Sequence, residues 1–241
     1  MPTLKSLSPR DLAQTVTFTA LYTVFSFVKI SPIIGLPGQT ITAAAIVAPI
    51  IGIVIGAYLG TLATFLGGAV GLTLGALPQP SFVSGIVTAF FAGMLHKGRR
   101  VVCISIYVAL LLAFSFYPTV GPAWLYPPLL WFQVLGLVTL ISLQPTATRN
   151  LDANANSKLL YAFFVASLIS TMAGQIAGSL IFEVISWPTL TPDVNSWRAT
   201  WQVLTFLYPT ERLIIATFSG LIGASLQRIL RSAAPMRLPT S

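Results

Sequence analysis

Residues 41–77 read ITAAAIVAPIIGIVIGAYLGTLATFLGGAVGLTLGAL, without one charged side chain. Gly52, Gly56 and Gly60 fall four apart, and so do Gly67, Gly71 and Gly75. Residues four apart share a helix face, so the six glycines draw two smooth stripes, one on each side of a turn at Gly60-Thr61. In water each such glycine weakens a helix by ~1 kcal/mol. In a bilayer the backbone must satisfy its own hydrogen bonds, and glycine lets helices approach closely. The stretch therefore predicts two transmembrane helices, 41–60 and 61–77, packed through their glycine faces. A buried hairpin of a soluble protein would present a polar face, and none exists here.

The rest of the chain has the same character. Of its 241 residues 55% are hydrophobic and only 7% charged, with a mean hydropathy of +0.85. A soluble domain carries roughly a quarter charged residues. The composition predicts a single all-α transmembrane bundle over 1–241, with room for six to eight spans of about 20 residues. The net charge of +8 is scattered through short loops rather than gathered on one face, which argues against nucleic acid as a partner. Cys103 is the single cysteine, so neither an intramolecular disulfide nor a cysteine metal cluster is expected. His96 is the single histidine and adjoins Lys97, a poor start for a metal site. A Gly-Lys-Ser/Thr phosphate loop is missing, and no Ser/His/Asp set can be assembled around His96. Neither an enzyme nor a cofactor is expected. The basic N-terminus leads straight into an apolar segment, which predicts an uncleaved first helix acting as an anchor.

Around the glycine hairpin the apolar runs predict further spans at 11–28, 81–96, 101–117, 123–143, 158–187 and 210–230, eight in all. The 123–143 span carries a kink signal at Pro127-Pro128. Pro32, Gly35, Pro37 and Gly38 mark 29–40 as a loop. Residues 144–157 read as a polar cytoplasmic linker, and 188–208 as a polar, tryptophan-bearing outer loop with room for a short interfacial helix. With the N-terminus inside, Lys5, Arg10, Lys97, Arg99, Arg100, Arg149, Lys158, Arg228, Arg231 and Arg237 fall inside, and only Lys29, Arg198 and Arg212 outside. Both termini are expected in the cytoplasm and the protein in the cell membrane. Trp124, Trp187, Trp197 and Trp201 then lie near the outer ends of spans, as an aromatic belt would place them.

Polar groups are few within the spans, so they mark candidate sites. Gln175 lies mid-span. Glu183 follows eight residues on, about 12 Å along the axis and on nearly the same side. Glu211 and Arg212 open the last span. One reading pairs Arg212 with Glu183 as structural glue. The other lines an outward pocket with Gln175, Glu183, Glu211 and Arg212, roofed by Trp187, Trp197, Trp201 and the 29–40 loop with its Gln39. In the first span Thr15, Thr19 and Thr23 fall four apart. They suit either packing against the chain's own helices or a docking face for another subunit.

Several stretches together resemble a known family. The first span with its proline-rich outer loop, Pro49-Ile50-Ile51-Gly52 through Gly60, Phe65-Leu66-Gly67-Gly68, and Ser81-Phe82-Val83-Ser84-Gly85 running to the basic stop at Lys97–Arg100 resemble the S components of energy-coupling factor (ECF) transporters. Tyr208-Pro209-Thr210-Glu211-Arg212-Leu213, continuing to Gly220-Leu221-Ile222-Gly223, is similar to their last helix. The resemblance implies a six-helix core, with 101–143 as an inserted helical hairpin. It implies capture of a vitamin or similar small molecule from outside. The partners it implies are a transmembrane coupling subunit, bound through the threonine stripe, and two ATPases. The metal-transporting members use an N-terminal histidine, which Met1-Pro2-Thr3 lacks, so a metal substrate is disfavoured. The competing expectation is a structural or assembly subunit of a membrane complex without a ligand. A stand-alone carrier is disfavoured by the lack of an inverted repeat of broken helices and of an intramembrane acid chain.

Overall fold

The computed structural model describes residues 8–36, 38–151 and 155–232, so Lys5, Pro37 and Arg237 lie outside the described residues. Helix α1 spans Pro9–Ser26 and starts as a capping box. The Ser8 hydroxyl accepts from the Asp11 backbone N–H, and the Asp11 carboxylate accepts from that of Ser8. The 29–40 loop is in fact built on two strands. β1 (Lys29–Pro32) pairs antiparallel with β2 (Thr40–Thr42). Ile30, Thr40, Ile41 and Thr42 are β-branched and favour extension. Between the strands Gly35, at φ +87°, reverses the chain, and the Ile33 N–H donates to the Gln39 carbonyl at 3.0 Å.

The glycine hairpin differs from the expectation in where it breaks. α2 is Ala44–Ile55 and α3 is Ala57–Thr73. The chain turns at Gly56, whose φ of +87° suits glycine alone, and not at Gly60-Thr61. Gly60 therefore belongs to α3. A Cβ on it would lie 3.0 Å from the Gly52 Cα, so the two helices meet through this pair. Gly52 also lies hard against the Ala89 carbonyl. A Cβ on Gly67 would come 2.7 Å from the Thr19 carbonyl, and one on Gly71 2.7 Å from the Ser26 Oγ, both in α1. Gly75 touches nothing and serves the turn after α3. Four of the six glycines are thus close approaches, and Gly56 and Gly75 turn the chain.

Next come α4 (Gln79–His96), α5 (Arg100–Ser115), α6 (Pro122–Leu125), a 3-10 turn at Pro127–Leu130, and α7 (Trp131–Ser142). The 144–157 segment is not a linker throughout, because α8 (Gln144–Asn150) occupies its first half. α9 (Asn156–Ser186) runs through the middle of the bundle, and α4, α10, α5 and α8 pack around it.

The largest correction is α10, which spans Val194–Ser232 and absorbs most of the expected 188–208 loop. Asp193 caps it, accepting from the backbone N–H groups of Asn195 and Ser196 and from the Ser196 hydroxyl. These bonds hold its carboxyl below the usual aspartate range. Pro209 lies inside the helix and removes the N–H that would reach the Thr205 carbonyl. The Trp131 indole N–H fills that vacancy at 3.2 Å. Glu211 and Arg212 consequently sit mid-helix, not at a helix start. Trp197 and Trp201 are no belt either. They are 1% and 0% exposed, pack with Phe182 and Phe114, and donate to the carbonyls of Thr191 and Val120.

The described residues are all-α apart from the one small strand hairpin. Helices α9 and α10 are long and apolar enough to cross a membrane, and the bent segment 127–150 is a third if taken as one span. Large apolar side chains such as Val16, Val24, Phe65, Phe218 and Ile222 face outward, the reverse of a water-soluble surface. At one end of the bundle the His96 Nδ1 lies 2.7 Å from the Ile53 carbonyl. There too Thr148 donates to the Leu95 carbonyl and Arg231 to that of Leu151. The strand hairpin lies at the opposite end.

Candidate functional site

Beneath the strand hairpin lies a cleft with a cavity volume of about 80 Å³, partly open to solvent. Ile33, Ile34 and Ile41 of the hairpin roof it, Tyr22 of α1 and Ser84 and Thr88 of α4 form one wall, and α9 and α10 form the other. The roof is seated by Gly35, which rests on the Phe182 ring. Gly174 and Gly178 of α9 press onto Thr88, Ser84 and the Pro80 carbonyl, so α4 and α9 approach closely along the floor.

Register between α9 and α10 decides which polar groups meet. The two helices run antiparallel, and the Ser179 and Tyr208 hydroxyls share a hydrogen bond at 3.1 Å. One turn further along α10 is Arg212, and one turn back along α9 is Gln175. Both line the cleft, 5% and 6% exposed. Among the described residues, neither the Arg212 Nε nor the Gln175 Nε2 has a hydrogen-bond partner. Arg212 pairs loosely with Glu211 at 3.7 Å. The other Glu211 oxygen accepts from the Ser31 hydroxyl of β1 at 2.6 Å, so the roof is tied to the charged pair.

The expected partnership of Glu183 with Arg212 is not formed. Eight residues carry Glu183 about 12 Å along α9 from Gln175 and turn it about 80° from that face. Because Arg212 sits mid-helix, it faces Gln175 and leaves Glu183 behind. Glu183 is 0% exposed, does not line the cleft, and has no partner for either carboxylate oxygen among the described residues. Trp187 is half-buried beyond the end of α9 and also lies off the cleft. Gln39 is exposed, with its backbone engaged in the hairpin turn. Of the six sequence candidates, then, Gln175 and Arg212 converge, Glu211 backs Arg212, and Glu183, Trp187 and Gln39 stand apart.

Sequence reading missed Tyr22, Thr88, Thr171, Ser179 and Tyr208, which also line the cleft. Their signal was weak, since hydroxyl residues at helical spacing also serve as packing. Thr15, Thr19 and Thr23 show that second use. Thr15 is buried and bonds back to the Asp11 carbonyl, Thr19 holds its hydroxyl inside, and Thr23 reaches the carbonyls of Thr19 and Gly67. The stripe packs against α3 of its own chain. Among the described residues no cluster of His, Cys, Asp or Glu is placed to hold a metal ion.

The chain matches no family model, no curated protein and no solved structure.

Proposed function

We propose that the protein is a membrane-embedded substrate-capture subunit of an ECF-type importer, taking a vitamin or similar small micronutrient from outside into the cleft beneath the strand hairpin. The observation that carries this reading is the convergence of Gln175 and Arg212, buried and incompletely paired, on a cleft walled by apolar and hydroxyl side chains. A buried polar group without a partner is costly, and a bound ligand supplies the partner. An apolar cavity with a few convergent polar groups is the usual form of a small-molecule site.

In the proposed topology α1 to α5, the 127–142 segment, α9 and α10 each pass through the bilayer, with both termini in the cytoplasm. Lys97, Arg99, Arg100, Arg149, Lys158, Arg228 and Arg231 then fall on the cytoplasmic side, and the cleft opens outward. Since the threonine stripe is turned inward, the face of α1 free for a coupling subunit carries Leu12, Val16 and Val24, all more than half exposed. ATP hydrolysis belongs to the partner ATPases.

The reading is tested by purifying the tagged protein from its native membranes in mild detergent and identifying what comes with it. A polytopic coupling subunit together with two P-loop ATPases is the expected result. Recovery of the chain without any ATPase contradicts the importer assignment.

A further inference from the structure

The cleft itself indicates what kind of molecule it takes. Among the described residues Arg212 is the one formally charged residue on its wall; no Asp, Glu, His or Lys among them lines it. Glu211 sits behind Arg212, with one oxygen occupied by Ser31 and the other at a loose 3.7 Å. The guanidinium cannot shed its proton and offers only donors. Among the described residues its Nε–H is unclaimed, and opposite it on α9 the Gln175 Nε2 is unclaimed as well. Three of the cleft's hydroxyls are already engaged. Ser179 and Tyr208 bond each other, and Thr171 bonds back to the carbonyls of Ser167 and Leu168. The rest of the lining mixes the hydroxyls of Tyr22, Thr42, Ser81, Ser84 and Thr88 with apolar groups, Ile33, Ile34, Ile41 and Phe182 prominent among them.

Resting on the capture reading above, we infer that the ligand is a monocarboxylate with an apolar or ring-bearing body, its carboxylate accepting from Arg212 and Gln175. A planar guanidinium fork matches the two oxygens of a carboxylate. A phosphate dianion would call for further cations, and the wall offers none. The apolar body takes the place of water against the isoleucines of the roof and the Phe182 ring.

The test is affinity selection. Purified full-length protein in nanodiscs is incubated with the small-molecule fraction of yeast extract, either untreated or methyl-esterified, and retained compounds are identified by mass spectrometry. Wild type is expected to retain a carboxylic acid from the untreated fraction and not its methyl ester. Arg212→Gln is expected to abolish retention. Arg212→Lys keeps the charge but not the fork, and is expected to retain roughly tenfold less. Its folding is checked by size-exclusion profile. Retention of a compound that carries no carboxylate overturns the inference and leaves ligand capture standing. Equal retention of acid and ester, or full retention by Arg212→Lys, also overturns it. Retention of nothing from either fraction overturns both the inference and the capture reading.

Discussion

Ser179 and Tyr208 share a hydrogen bond at 3.1 Å, and through it α9 and α10 hold the register that sets Gln175 opposite Arg212. Both hydroxyls are partly or fully shielded from solvent, and neither group stands on a loop. Tyr208→Phe or Ser179→Ala should each destabilise the fold by about 1 kcal/mol. The double variant should lose little more than either single, because both remove the same bond. Unfolding in detergent, followed by tryptophan fluorescence, measures this. Fully additive losses would mean that the two hydroxyls act separately.

Glycine positions should sort by what each one touches. Gly52 lies against the Ala89 carbonyl and faces Gly60, whereas Gly75 meets nothing within 4 Å. Gly52→Ala is expected to cost ~1–3 kcal/mol through overpacking. Gly75→Ala should cost only the ~1 kcal/mol of a positive φ. Thermal unfolding of the two variants side by side gives the order, and the reverse order would refute the packing scheme.

Much of this was legible beforehand. The uncharged glycine-rich stretch marks a closely packed apolar helix pair, and Ser8 with Asp11 marks the first helix start. What the pattern concealed has physical causes. Gly56 and Gly60 look alike in sequence, yet only Gly56 adopts the left-handed backbone that breaks the helix. Pro209 ordinarily signals a boundary, and α10 runs through it because Trp131, 78 residues earlier in the chain, supplies a donor to the Thr205 carbonyl. That partnership is tertiary, so no local signal announces it. The same error displaced Arg212 to a helix end and paired it with Glu183. Of the site, Gln175 and Arg212 were readable as rare polar groups within apolar spans, and 29–40 as part of their roof, but the strand pairing of that roof was not.

Trp131 and Pro209 should behave as a coupled pair. Trp131→Phe leaves the Thr205 carbonyl without a donor and should destabilise by ~1 kcal/mol. In a Pro209→Ala background the helix regains its own N–H, and the same substitution should cost markedly less. Equal losses in both backgrounds, read from unfolding midpoints, would show that the indole bond does not compensate for the proline.

Single cysteines at Asn195 and Ser157, with the buried Cys103 replaced by alanine, address the proposed topology. In intact cells a membrane-impermeant maleimide should label position 195 and spare position 157. Labelling of position 157 from outside would reverse the assignment.

The central claim is that Gln175 and Arg212 hold a small molecule in the cleft beneath the hairpin. Native mass spectrometry of the protein released from nanodiscs tests it most directly. Wild type should carry a bound small molecule as a discrete mass increment, and Gln175→Ala and Arg212→Gln should lose it while still eluting as folded protein. An increment that survives in both variants, or its absence from wild type purified under the mildest conditions, would contradict the account.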